Sequence, residues 1–300
     1  MSDGVMSAKL KILDQVIDCG GAHPIEDVIG HTDEMAWVID GVTTLTPERL
    51  TDATSDGKWL ADIFAEQLRV GAAEDSLQDI MRAGIHQAAV LSRDWPIIPV
   101  TPPSATVGIV RLKPSSVEYF VLGDVSVIFL GDETRAISDT SSEKKSPHLE
   151  VRWQEAKDLL RRTSRDSPLY DAVKAHVNSL LVEHKQRSMN QPGGYWISSL
   201  DERAPSHALT GEVKGADRIL LCSDGFARLV DHFSTFSSWE DLVASGKTLR
   251  ECVDILRETE NSDKECTRFP RISASDDAAA LLIEMQRSGL VPTKQTKRGR

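Results

Sequence analysis

The chain has 300 residues, enough for one large domain, and its 40% apolar and 27% charged residues match a soluble protein with a real core. A formal net charge of −11 argues against a duplex-binding surface, which needs clustered Lys and Arg, and suits a protein that collects cations. No apolar run approaches the roughly 18 residues of a membrane span, and the start MSDGVMSAKLKILDQ has no basic, apolar and small-residue succession of a secretory leader.

Leu10 to Ile17 alternates apolar and polar residues and predicts a first strand; Met35-Ala-Trp-Val-Ile39 predicts a short buried one ending on Asp40-Gly41. Two helices follow from 3.6-residue spacing, one through Leu60, Ile63, Phe64 and Leu68, the other through Leu77, Ile80, Met81, Ile85 and Ala88. Thr106–Val110, Val117–Leu122 and Val125–Leu130 are β-rich runs separated by turn residues and predict an antiparallel meander. Residues 140–148 read as a polar surface loop. Helices are predicted over Val151–Arg162 and Pro168–Lys185, the second with Ser167-Pro168 as its start signal. Tyr195-Trp-Ile197 and Arg218–Cys222 predict strands, Leu249–Arg257 a helix, and Ala278–Ile283 a last strand opened by Asp276-Asp277. Strands and helices come in blocks, which favours sheet-on-sheet or α+β layering over a doubly wound parallel sheet. One domain is expected over residues 1–288, with 289–300 a basic solvated tail. The cysteines Cys19, Cys222, Cys252 and Cys266 have neither C-x-x-C spacing nor a compact framework and read as reduced thiols, which points to the cytoplasm.

The chemistry lies in the acids. Each Asp-Gly pair taken alone is accounted for by a turn, and Asp3-Gly4 and Asp56-Gly57 are read that way. Asp40 and Asp224 instead end buried hydrophobic strands, while Asp276 immediately precedes one. A strand end holds a carboxylate rigidly, and the glycine beside it brings the main-chain carbonyl within reach of the same point. Together with Glu26-Asp27 and Asp124, these oxygen donors suit hard cations, Mg²⁺ or Mn²⁺.

The succession P-I-E-D (24–27), V-I-D-G (38–41), V-L-G-D-V (121–125), L-C-S-D-G (221–225) and S-D-D-A (275–278) resembles the metal-dependent, type 2C, Ser/Thr protein phosphatases across nearly all of residues 10–285. The resemblance implies an α+β, four-layer αββα sandwich, two antiparallel sheets flanked by helices with the site at one end. It implies two Mg²⁺ or Mn²⁺ ions and a weaker third. Asp40 would bridge the two, the Gly41 carbonyl would ligate one, Asp224 and Asp276 would complete the set, and Asp124 would help hold the third. Asp27 would hold water at the cations, with Glu26 and Asp277 beside it. The implied reaction is in-line attack by water, without a phospho-enzyme.

Two positions depart from the family pattern. Val42 stands where many members carry a proton-donating His, and Gly21-Ala22-His23-Pro24 offers no phosphate-binding Arg, leaving His23 as a candidate phosphate contact. Gly246-Lys247-Thr248 resembles the end of a phosphate loop but lacks its first glycine and its strand, so Gly246 reads as a helix terminator. The leading function is hydrolysis of phosphoserine and phosphothreonine on proteins, with a phosphorylated protein as substrate, a cognate kinase as counterpart, and neither nucleic acid nor membrane as partner. A small-molecule phosphatase and a non-catalytic binding scaffold are the alternatives.

Overall fold

Residues 36–39 are fully buried although they form a strand, so both faces of that strand must be covered. The computed structural model, which describes residues 8–21, 24–42, 49–95 and 101–287, shows how. One sheet contains β1 (Ala8–Asp18), β6 (Ser126–Gly131), β7 (Arg135–Ile137), β9 (Ala216–Cys222) and β10 (Ala278–Arg287), in the order β1-β10-β9-β6-β7. The other contains β2 (Val28–His31), β3 (Met35–Val42), β4 (Ser104–Leu112), β5 (Val117–Leu122) and β8 (Leu209–Val213), in that order. All neighbouring strands are antiparallel.

Alternation along β3 explains the layers. Ala36 and Val38 point between the sheets, where they join Val121, Phe129, Leu221 and Leu281 in a shared core. Trp37 and Ile39 point outward and are covered by α1 (Asp56–Val70) and α2 (Leu77–Leu91) through Phe64, Leu68 and Ile85. On the far side, α5 (Asp224–Asp231), α6 (Trp239–Ala244) and α7 (Leu249–Ser262) cover Ile128, Leu220 and Ala280 with Phe226, Leu242 and Leu256. The result is the four-layer αββα sandwich. A further pair, α3 (Pro147–Arg162) and α4 (Tyr170–Ser188), closes on its own core of Leu149, Trp153, Val177 and Leu180.

Several sequence expectations need correction. β4 and β5 pair, but β6 pairs with β9 and β7 rather than with β5, so the meander is not formed. The Gly123-Asp124 turn, with Gly123 at φ +93°, looks like a hairpin turn in sequence yet carries the chain to the opposite sheet. Tyr195–Ile197 makes isolated bridges only, Tyr195 with Met189 and its neighbour Ser198 with Ala105. Thr140–Glu143 is a 3₁₀ turn and α3 already starts at Pro147, inside the expected loop. α4 begins at Tyr170, two residues beyond the Pro168 signal. Asp56-Gly57 is no loop turn: Asp56 opens α1 and is buried, accepting from the Leu50 and Thr51 amides at 3.0 and 3.1 Å. Gly246, at φ +71°, follows α6 as a terminator should. Cys222, Cys252 and Cys266 are buried free thiols, and Cys19 is exposed.

Candidate metal centre

Strand register brings the acids together. In one sheet Asp40 faces Thr106 across the β3–β4 ladder, and Val107 faces Leu122, so the next step along β5 sets Gly123-Asp124 beside the end of β3. In the other sheet Cys222 faces both Ala280 and Ser126, which places Ser223-Asp224, Asp276-Asp277 and the start of β6 at the same end. Asp40, Gly41, Val42, Asp124, Asp224 and Asp276 accordingly line one cleft of about 340 Å³. Gly41 packs against Glu26 and Gly57, so the start of α1 also meets this end.

Two hydrogen bonds tie the segments across more than half the chain. Ser223 Oγ donates to Asp27 Oδ2 at 2.8 Å and accepts from the Ala279 amide at 2.9 Å. The Glu26 amide donates to Asp277 Oδ2 at 2.8 Å. These fix Glu26 and Asp27, both buried, behind the carboxylates that line the cleft. A glycine is required at 225, because a Cβ there would lie 1.8 Å from the Asp277 carbonyl oxygen. That contact lets the first turn of α5 pass directly against the Asp276-Asp277 segment.

The acids raise one another's pKa. Asp40 is pushed well up, first by burial and then by Asp27, Asp224, Asp124 and Asp276. Asp27 is also pushed well up, mainly by burial and against the Ser223 hydrogen bond. Burial and Asp224 lift Asp124 to about 7. Burial and Asp224 lift Asp276 to about 6, although Arg228 pulls it down. Arg228, one turn beyond Asp224 on α5, donates from Nη2 to Asp276 Oδ2 at 2.6 Å and sits 3.4 Å from buried Glu260.

These residues fit hard divalent cations in kind: all side-chain donors are oxygens, they repel one another as anions, and the buried Asp27 Oδ1 has no hydrogen-bond partner among the described residues. They are not drawn into a finished cage. Among the described residues no three His, Cys, Asp or Glu side chains form a ready coordination group. The expected set of Glu26, Asp27, Asp40, Gly41, Asp124, Asp224, Asp276 and Asp277 therefore shares one end of the sandwich, whereas His23 lies outside the described residues. Sequence pattern alone does not single out Ser223 as an anchor, Arg228 as a partner of Asp276, or Lys185 and Tyr195 of the cleft wall.

No family model matches the sequence, and no curated protein matches it. Solved structures do. The Mycobacterium tuberculosis serine/threonine phosphatase PstP/Ppp is 15% identical with a TM-score of 0.53, covering 92% of this chain and 98% of its own. The catalytic domain of the serine/threonine protein phosphatase PstP in complex with 2 manganese ions is 14% identical with a TM-score of 0.52, covering 93% and 99%. PppA, described as a key regulatory component of T6SS in Pseudomonas aeruginosa, is also 14% identical with a TM-score of 0.52, covering 93% and 100%. Likeness at this identity concerns architecture: the chain has the fold of the metal-dependent, type 2C Ser/Thr phosphatases.

Proposed function

We propose that the chain is a metal-dependent phosphomonoester hydrolase acting on phosphoserine and phosphothreonine of proteins. The observation that carries this reading is the convergence of Asp27, Asp40, Asp124, Asp224 and Asp276, from five separate segments, on one end of a sandwich shared with phosphatases. Asp40, Asp224, Asp276 and the Gly41 carbonyl would hold two Mg²⁺ or Mn²⁺ ions, with Asp124 contributing to a weaker third. Cations bound there supply positive charge against the phosphoryl oxygens and acidify a water near neutral pH.

The chain's own residues do the rest. Asp27 is pinned through Oδ2 by Ser223, which leaves Oδ1 to orient the attacking water and accept its proton. Glu26 and Asp277, joined by a backbone hydrogen bond, keep the N-terminal and C-terminal halves of the site in register. Val42 lines the cleft and offers no proton to the departing oxygen. A cognate kinase would supply the phosphorylated substrate. The buried free thiols of Cys222, Cys252 and Cys266 favour a reducing, cytoplasmic setting, and among the described residues no helix is long and apolar enough to cross a membrane.

The test is hydrolysis of p-nitrophenyl phosphate and of a phosphothreonine peptide with Mn²⁺, with Mg²⁺ and with EDTA. Turnover abolished by EDTA and by Asp40→Asn is expected. Turnover undiminished in excess chelator would refute the metal-dependent reading, and no turnover with either metal would favour a binding scaffold.

A further inference from the structure

Among the described residues, Arg228, Lys145 and Lys185 border the acid cluster, and the first two are committed. Arg228 is bonded to Asp276 and faces Glu260. Lys145 donates from Nζ to the Glu143 carbonyl at 3.0 Å and lies 4.6 Å above the Trp153 ring. Lys185 differs. It lines the same cleft as Asp40, Asp124 and Asp224, yet among the described residues its ammonium group makes no hydrogen bond, and no carboxylate oxygen lies within the 4.0 Å of an ion pair.

Its surroundings define what it can meet. The carboxylates that act on it are Glu26, ahead of β2, and Asp124, in the β5–β6 turn. Burial lowers its pKa to about 8 and those two acids oppose the shift. It also borders a second groove of about 390 Å³ with Gln186, Asn190 and Gln191, which opens it to solvent. The backbone beneath it is well held, since α4 is fixed by the α3–α4 core and Leu181, one turn earlier, lines the cleft too. A half-buried ammonium without a hydrogen-bond acceptor on the protein can meet an anion, and one seated between it and the acid-bound cations would give it a charge-assisted partner.

Resting on the phosphomonoesterase reading, we infer that Lys185 binds the phosphoryl oxygens of the substrate, across the cleft from Asp40 and Asp224. It is a substrate-binding residue carried by a helix outside the sandwich, on the wall opposite the strand ends that hold the acids.

The test compares the full-length wild type, Lys185→Met and Lys185→Arg, each loaded with Mg²⁺. Inorganic phosphate binding is read from ³¹P NMR line widths, and Mg²⁺ affinity from calorimetry. Loss of one charge-assisted hydrogen bond should weaken phosphate binding about 10- to 100-fold in Lys185→Met. Lys185→Arg should recover most of it, and Mg²⁺ affinity should not fall in either variant. For p-nitrophenyl phosphate the KM should rise in parallel with the phosphate Kd, and kcat should change less. Phosphate binding equal to wild type in Lys185→Met would overturn the inference. So would weakened Mg²⁺ binding that accounts for the loss, or a wild type that binds no phosphate. A wild type that binds phosphate through Lys185 but hydrolyses nothing would refute the enzyme reading and leave this one standing.

Discussion

Arg228 Nη2 lies 2.6 Å from Asp276 Oδ2, and Arg228 stands one turn after Asp224 on the same helix. α5 therefore presents one acid to the cluster and a cation to another. The guanidinium is itself braced by buried Glu260, which also pairs with Arg257 at 2.7 Å. Arg228→Met should destabilise the protein in EDTA by about 1–3 kcal/mol, because Glu260 loses one of its two partners while buried. It should at the same time enlarge the thermal stabilisation produced by Mg²⁺, since Asp276 no longer shares its oxygen with a competing cation. Melting curves with and without Mg²⁺ decide; a smaller Mg²⁺ response in the variant would contradict the competition.

Ser223 holds two buried polar groups at once, the Asp27 carboxylate and the Ala279 amide. Ser223→Ala should cost about 1–3 kcal/mol in denaturant unfolding, the usual penalty for stranding a buried donor. The effect on turnover should exceed what the lost stability explains, because Asp27 is then free to rotate. Cysteine, which restores bulk but is a weak donor, should recover stability less than threonine does. Full activity in Ser223→Ala at a temperature well below its melting point would show that Asp27 needs no anchor.

The raised carboxylates predict a pH dependence with a definite sign. Asp124 and Asp276 titrate near about 7 and about 6 in the folded chain, against an ordinary value of 3.8. Between those values the folded state holds protons that the unfolded chain has released, so the linked stability is complete below the ordinary value and is lost as pH rises through the folded pKa. In EDTA the wild type should therefore lose stability relative to Asp124→Asn on going from about pH 4.5 to about pH 7.5. Asp18 and Asp263 shift downward, so their own linkage falls at lower pH and does not cancel this trend. Equal wild-type and variant stabilities at both pH values, measured by urea unfolding, would remove the electrostatic argument for the site.

The acids were legible because each stands where a hydrophobic run stops or starts, beside glycine or another acid. Asp40, Asp124, Asp224 and Asp276 all satisfy that description. Asp56-Gly57 satisfies the dipeptide pattern equally well, and only three-dimensional packing shows Asp56 accepting from the Leu50 and Thr51 amides at a helix start. The exchange of β6 between sheets was not legible, since a glycine turn can return a strand to its neighbour or send it across the sandwich. Lys185 sits in a Lys-Gln-Arg stretch that reads as a solvated helix end. Its signal was spacing: Val177, Leu181 and Lys185 recur every fourth residue, on the face of α4 that turns inward.

Val42 ends β3 and lines the cleft two residues after Asp40, in a position where it can touch a leaving group but cannot protonate it. The departing oxygen must then take its proton from water or leave as an anion, so the rate should depend steeply on leaving-group pKa. General acid catalysis is worth roughly 10²–10⁴-fold where it operates, and a series of substituted phenyl phosphates should expose its absence. Aryl esters should outrun alkyl esters such as phosphoserine at the chemical step. Val42→His supplies a donor: if the ring is accommodated at the strand end, poor leaving groups should gain and good ones should scarcely change. A flat dependence in the wild type, with chemistry shown to be rate-limiting, would mean that another group already donates. Lys185 would be the first to test, since its pKa near about 8 lets it give up a proton near neutrality. Lys185→Arg separates the two roles of that lysine: arginine still binds phosphate but does not release a proton, so a steep dependence appearing only in this variant would identify Lys185 as the acid.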